Sequence, residues 1–228
     1  MDKQWLILLQ WCDSNLPTGA FSHSFGLETY MQEGKVTDKH SFKKWLEVYI
    51  REQLIYSDGL AFRLVSEALQ AGEPEKVWEI DRILFAQLLP KEVREASQRM
   101  GERMLKLSNE LYQSPLLTDY QQRVRARLSF GHPAIVFALL ARHFEISPSQ
   151  ALLSYLFSCT TSLIQNGVRG IPLGQTDGQQ LIHELQEELI QAVDRIGQLE
   201  PDDLGIASPG LECSQMIHER LHVRLFMS

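Results

Sequence analysis

The sequence predicts an all-α fold, a single helical bundle-like domain of about ten helices spanning residues 1–228, and three observations predict it. Apolar residues recur at spacings of three and four over most of the chain, which puts them on one face of a helix. Period-two alternation is nearly absent, and the hairpin-type dipeptides Asp58-Gly59 and Asp177-Gly178 fall inside helical patterns rather than between β-rich runs. Hydrophobic residues make up 44% and charged residues 22%, enough apolar material at this length for a substantial core.

The elements follow in order. Phe42, Trp45, Leu46, Tyr49, Ile50 and Leu54 share one helical face. Val77, Ile80, Leu84 and Leu88 share another, opened by Glu73-Pro74 and closed by Pro90, because proline fits the first helical turn and not the interior. Val93, Ala96, Met100, Met104, Leu107 and Leu111 mark a third, and the apolar run from Pro133 to Leu140 a fourth. Ser147-Pro148-Ser149-Gln150 predicts a capping box in which Ser147 accepts from the Gln150 amide. The segment it opens, Ala151 to Leu163, is hydrophobic nearly all round and is expected at the centre of the bundle. Gln175 to Ile196 reads as one longer amphipathic helix with a solvated acidic face. No linker and no fixed-period repeat divides the chain, so one domain is expected.

Composition narrows the function. A net charge of -7 and a pI near 5.5 disfavour nucleic acid as a partner. Cys12, Cys159 and Cys213 are odd in number and far apart, which points away from a disulfide framework and toward a reducing compartment. The apolar run from Trp5 to Leu9 is too short for a signal peptide or a membrane span, so a cytoplasmic location is expected and no membrane partner. The chain holds no phosphate loop, dinucleotide fingerprint, nucleophile elbow or zinc-protease helix; no catalytic residue, no resident cofactor and no enzymatic activity are expected.

Three groups remain as candidates for chemistry. Cys213, His218 and His222 form the nearest approach to a metal site, since positions four apart share a helix face, but a fourth ligand is missing and ordinary packing or solvation is the simpler account. His23 and His132 read as loop or helix-start residues satisfied by hydrogen bonds. Arg123, Arg125 and Arg127 suit an acidic partner, or a solvated helix face.

Five stretches, taken together, resemble the UreF family. They are Ser14-Asn15-Leu16-Pro17-Thr18-Gly19-Ala20-Phe21-Ser22-His23-Ser24-Phe25-Gly26-Leu27-Glu28, then Arg94-Glu95-Ala96-Ser97-Gln98-Arg99-Met100-Gly101, then Gly131-His132-Pro133. Val168 to Gln179, with its Pro172-Leu173-Gly174-Gln175 core, and His218 to Ser228 complete the series. The first reads physically as a sharp turn from Pro17 to Gly19 and a close approach at Gly26. One departure is Gly167-Val168 before Arg169, where two small apolar residues are commoner; it is expected to loosen the helix there.

The resemblance implies an all-α, non-catalytic scaffold for loading nickel into urease. It implies a homodimer that joins the accessory protein UreD, also called UreH, recruits the GTPase UreG and acts on apo-urease. On matching positions it implies partner binding through Phe21, Ser22, His23, Arg169, Arg224, Leu225, Phe226 and Met227. Two alternatives stay open: regulation of the partner's GTP hydrolysis, with Arg224 or Arg169 supplied in trans, and direct nickel binding through Cys213, His218 and His222. The apolar tail Leu225-Phe226-Met227 is covered either by a partner or by its own chain, at about 1.5 to 3 kcal/mol per fully buried side chain.

Overall fold

A computed structural model describes residues 2–205 and 208–228. Among them lie twelve α-helices and no strand: α1 (Asp2–Trp11), α2 (Leu27–Gln32), α3 (Lys39–Val48), α4 (Leu60–Ala71), α5 (Pro74–Gln87), α6 (Lys91–Leu111), α7 (Pro115–Arg125), α8 (Pro133–His143), α9 (Pro148–Gly170), α10 (Gln175–Glu184), α11 (Gln186–Gly197) and α12 (Pro209–His218). A π-helical stretch, Tyr49–Gly59, joins α3 to α4 without a break, and only Leu185 separates α10 from α11. Counted as continuous rods these are about ten, as the periodicity predicts.

Local chemistry explains where the helices begin. Pro74, Pro115, Pro133, Pro148 and Pro209 each sit in a first turn, where the missing N–H removes no internal hydrogen bond. Asp38 and Ser41 cap α3 reciprocally, with the Ser41 amide donating to Asp38 Oδ1 at 2.8 Å. The capping box expected at Ser147 does not form. Its hydroxyl pairs with Ser149 Oγ at 3.1 Å, and Pro148 alone presets the helix start.

α9 sits at the centre, as expected, against α2, α4, α8, α10, α11, the π-helical stretch and the short helical turn Ala20–Ser22, but α8 is the more completely buried of the two. Every residue from Pro133 to Ala141 is buried, and α8 packs against α4, α6, α7 and α9. α9 lies beside it with Leu153, Phe157 and Cys159 only half-buried. Both stretches are apolar, but Ser154, Ser158, Thr161 and Ser162 give α9 a polar side that α8 lacks.

The helix expected from Gln175 to Ile196 is two. Leu185, buried and with ψ near -1°, bends the rod, so that α10 packs on α9 and α3 while α11 packs on the π-helical stretch, α9 and α4. Leu181, Leu185, Leu189 and Ile196 all remain buried in the one core. Nor does Gly167 loosen α9, which runs unbroken to Gly170. A Cβ at Gly167 would lie 2.2 Å from the Phe42 ring, so the missing side chain is the space that Phe42 fills.

Candidate functional site

The turn after α1 is built on two left-handed glycines, Gly19 (φ 85°) and Gly26 (φ 95°). Gly26 also has no room for a side chain, because its Cβ would lie 2.7 Å from Ser214 Oγ on α12. That close approach seats α12 on α2. Thr29 Oγ1 donates to the Ser214 carbonyl at 2.7 Å and Gln215 Nε2 to the Phe25 carbonyl at 3.1 Å.

The segment after α12 folds back over this turn. The Met227 amide donates to the Ser22 carbonyl at 2.7 Å. The amides of Ser24 and Phe25 donate to the backbone oxygen of Ser228, and His23 Nδ1 lies 2.9 Å from Ser228 Oγ. Beneath it sits Glu28, 3% exposed, whose carboxylate accepts from the Leu225 amide at 2.5 Å, the Phe226 amide at 2.9 Å and His218 Nε2 at 3.0 Å. His218 is fully buried, and its Nδ1 faces Glu92 Oε2 at 2.6 Å. Both ring nitrogens thus face carboxylate oxygens. Glu92 completes the chain of contacts by accepting from Arg224 Nη1 at 2.6 Å. Charge-assisted hydrogen bonds are stronger than neutral ones.

α9 contributes a clamp from the other side. Asn166 Nδ2 donates to the His23 carbonyl at 2.6 Å. Arg169 donates to the Phe21 carbonyl and to Asn166 Oδ1, with its guanidinium 5.2 Å from the centre of the Phe226 ring. The remaining motifs support the floor. A Cβ at Gly101 would lie 1.5 Å from the Gly131 carbonyl oxygen, so α6 and the start of α8 touch backbone to backbone. Buried Asp81 fixes that start by accepting from the Phe130 amide at 2.6 Å and Tyr120 Oη at 2.9 Å. His132 caps α8 through Nδ1, which accepts from the Ala134 amide, and its Nε2 lies 3.3 Å from Asp58, the hydrogen-bonded role expected of it.

The eight residues expected to bind partners therefore divide. Phe21 (61% exposed), Leu225 (59%) and Met227 (55%) stand out to solvent with Arg169 and Arg224 among them. His23 and Phe226 are buried, 3% and 5% exposed, and Ser22 offers its carbonyl to the tail. The tail is thus covered by its own chain at Phe226 only. Glu28, Glu92, Asn166 and Ser228 were not singled out from the sequence, although Glu28 closes the first motif. A carboxylate's burial depends on what folds over it, and nothing in the local pattern announces that.

The metal candidates are not brought together. α12 ends at His218, so His222 does not share its helix face; Cys213 and His222 are exposed and His218 is engaged by two carboxylates. Among the described residues no group of three or more His, Cys, Asp or Glu is placed to hold a metal ion.

Under the turn lies a cavity of about 360 Å³ lined by Trp11, Leu16, Phe25, Asp58, Tyr155 and Cys159. Burial raises the Asp58 carboxyl above its ordinary range, against the pull of His132, and pushes the Cys159 thiol well above its own. Burial thus disfavours the thiolate there. His23 moves the other way, to about 4, through burial first and then the nearby cations Arg99 and Arg103. A depressed histidine leaves the unfolded chain binding more protons between pH 6.5 and 4, so stability is complete above about 6.5 and declines as pH falls through that window. With both arginines screened by solvent, the expected loss is on the order of 2 kcal/mol. Chemical denaturation at pH 7 and pH 4.5, compared with His23→Gln, should show a pH-dependent difference that the variant lacks; an equal slope in both rules the histidine out.

The family model described as UreF matches residues 36–186. The chain is 54% identical over its whole length, and that of the relative, to the urease accessory protein UreF of Lachnoclostridium phytofermentans. It is 53% identical over 98% of both chains to that of Bacillus sp. (strain TB-90), and 48% identical to that of Arthrobacter sp. (strain FB24) over 98% of this chain and 96% of the relative. The first and last motifs lie outside the matched segment but inside the full-length alignments. With the family model matching residues 36–186 and relatives about half identical along its length, this helical chain belongs to the UreF family.

Proposed function

We propose that this chain is a urease accessory scaffold, a maturation factor and not a catalyst. It joins UreD (UreH), recruits the GTPase UreG and presents both to apo-urease for nickel insertion, with residues 1–228 acting as one folding unit, as a homodimer in the cytoplasm. No described helix is long and apolar enough to cross a membrane, which is in keeping with that setting.

The observation that carries the reading is the joined surface. The turn after α1 and the segment after α12 meet there, and apolar Phe21, Leu225 and Met227 remain exposed around two arginines on a frame that buries their neighbours. Exposed aromatic and arginine side chains on a rigid support are what a binding surface concentrates. Arg169 and Arg224 are each bonded within the chain, so a finger reaching a partner's nucleotide gains no support from their positions.

The test uses Phe21→Ala and Met227→Ala, which remove exposed side chains without opening the core. Each should cut co-purification of UreG or UreD at least tenfold, at about 1.4 kcal/mol per factor of ten, with an unchanged circular dichroism melt. Full recovery of both partners by both variants would refute the assignment of this surface.

A further inference from the structure

The arginine-rich stretch plays no part in the surface just described, and the structure separates its members. Arg123 is structural, its guanidinium 4.7 Å from the centre of the Trp78 ring. Arg125 and Arg127 project at the end of α7 and, with Arg103 and Lys106 of α6, line two adjoining cavities of about 350 and 320 Å³ between the helices. Among the described residues Arg103, Arg125 and Arg127 make no ion pair, and Lys106 lies 3.9 Å from exposed Glu110. Glu102 is the one carboxylate lining the groove. On a chain of net charge -7, this is a local excess of positive charge left unneutralised.

Two further features mark the groove. Ser129, 2% exposed, lines its inner end with a hydroxyl that has no hydrogen-bond partner. α7 closes with the Leu128 amide on the Arg123 carbonyl and the Arg127 amide on the Val124 carbonyl, a closure whose left-handed residue is ordinarily glycine. Here it is Arg127, at φ 59°. An arginine is held where backbone preference favours glycine.

We infer that the groove between α6 and the end of α7 is a docking site for an acidic peptide segment of a partner protein. Arg125 and Arg127 pair with its carboxylates, Ser129 Oγ donates to a carboxylate or carbonyl at the inner end, and Val124 and Phe130 take an apolar residue between them. Glu102 decides between a peptide and a nucleic acid. A uniformly charged phosphate backbone would have to pass it, whereas a peptide can place an uncharged residue there. Arg103 Nη1 also donates to the Thr18 carbonyl at 3.2 Å, so the groove borders the turn that carries Phe21. The inference rests on the groove alone and stands or falls apart from the urease assignment.

The test is fluorescence anisotropy of a labelled peptide alternating glutamate with leucine, titrated with the full chain. Saturable binding is expected, weakened by added salt and about tenfold by R125Q/R127Q. Arg127→Gly is the second variant: it suits the left-handed backbone, so it should melt no lower than the parent while still binding less tightly. Absence of saturable binding, equal affinity in the double variant, or tighter binding of a polyuridylate of matched charge would each overturn the proposal.

Discussion

Glu28→Ala should release the chain beyond His218 and cost about 3–5 kcal/mol, as removal of one partner from a buried ionic cluster does. Three donors lose their acceptor at once: the amides of Leu225 and Phe226 and the Nε2 of His218. The methyl group that replaces the carboxylate accepts nothing, and His218 is left facing Glu92 alone inside a fully buried position. Phe226 loses its anchor and takes with it the contact to Arg169. Urea denaturation measures the stability, and amide hydrogen exchange at Leu225 and Phe226 reports the tail. Glu28→Gln, which keeps one acceptor oxygen, should fall between the two. If Glu28→Ala stays within 1 kcal/mol of the parent and those two amides remain protected, the carboxylate does not hold the tail.

Gly101→Ala is the second large effect. Its Cβ would fall 1.5 Å from the Gly131 carbonyl oxygen and 2.6 Å from the carbonyl carbon. Both are backbone atoms, so no rotamer change relieves the overlap and α6 must move away from the start of α8. That shift opens the Asp81 hydrogen bonds to Phe130 and Tyr120, and the cost should reach about 3 kcal/mol or more. Gly197→Ala is the contrast, since nothing lies within 4 Å of its Cβ position at the end of α11. There the lower helix penalty of alanine should add up to about 1 kcal/mol. Thermal melts of the two variants moving in the same direction would contradict the steric account.

What could be read from residues alone was periodic or local. The helix starts at Pro74 and Pro133, the turn at Gly19, the absence of strands and the family's motifs each depend on neighbours within a few positions. Errors arose where distant packing chose between locally equal options. α8 and α9 are both apolar, and only the surrounding helices decided which is buried on every side; Leu185 interrupts a rod whose periodicity is unbroken.

The candidate site shows the same division. Its exposed members, Phe21 and Arg224, sit in recognisable motifs, and so do Glu28, His218 and Ser228 of its support, but the motifs do not say what those three pair with. Glu28, Glu92, His218 and Ser228 come from both ends and the middle of the chain, and their roles exist only because α12 returns to α2 across Gly26. Helix class and membership of the UreF family were determined by the sequence itself, because backbone preference and motif order are properties of the linear chain. Which histidine is a buried tie and which arginines remain free was decided by tertiary structure alone, because burial and pairing are set by whatever the fold brings opposite a side chain.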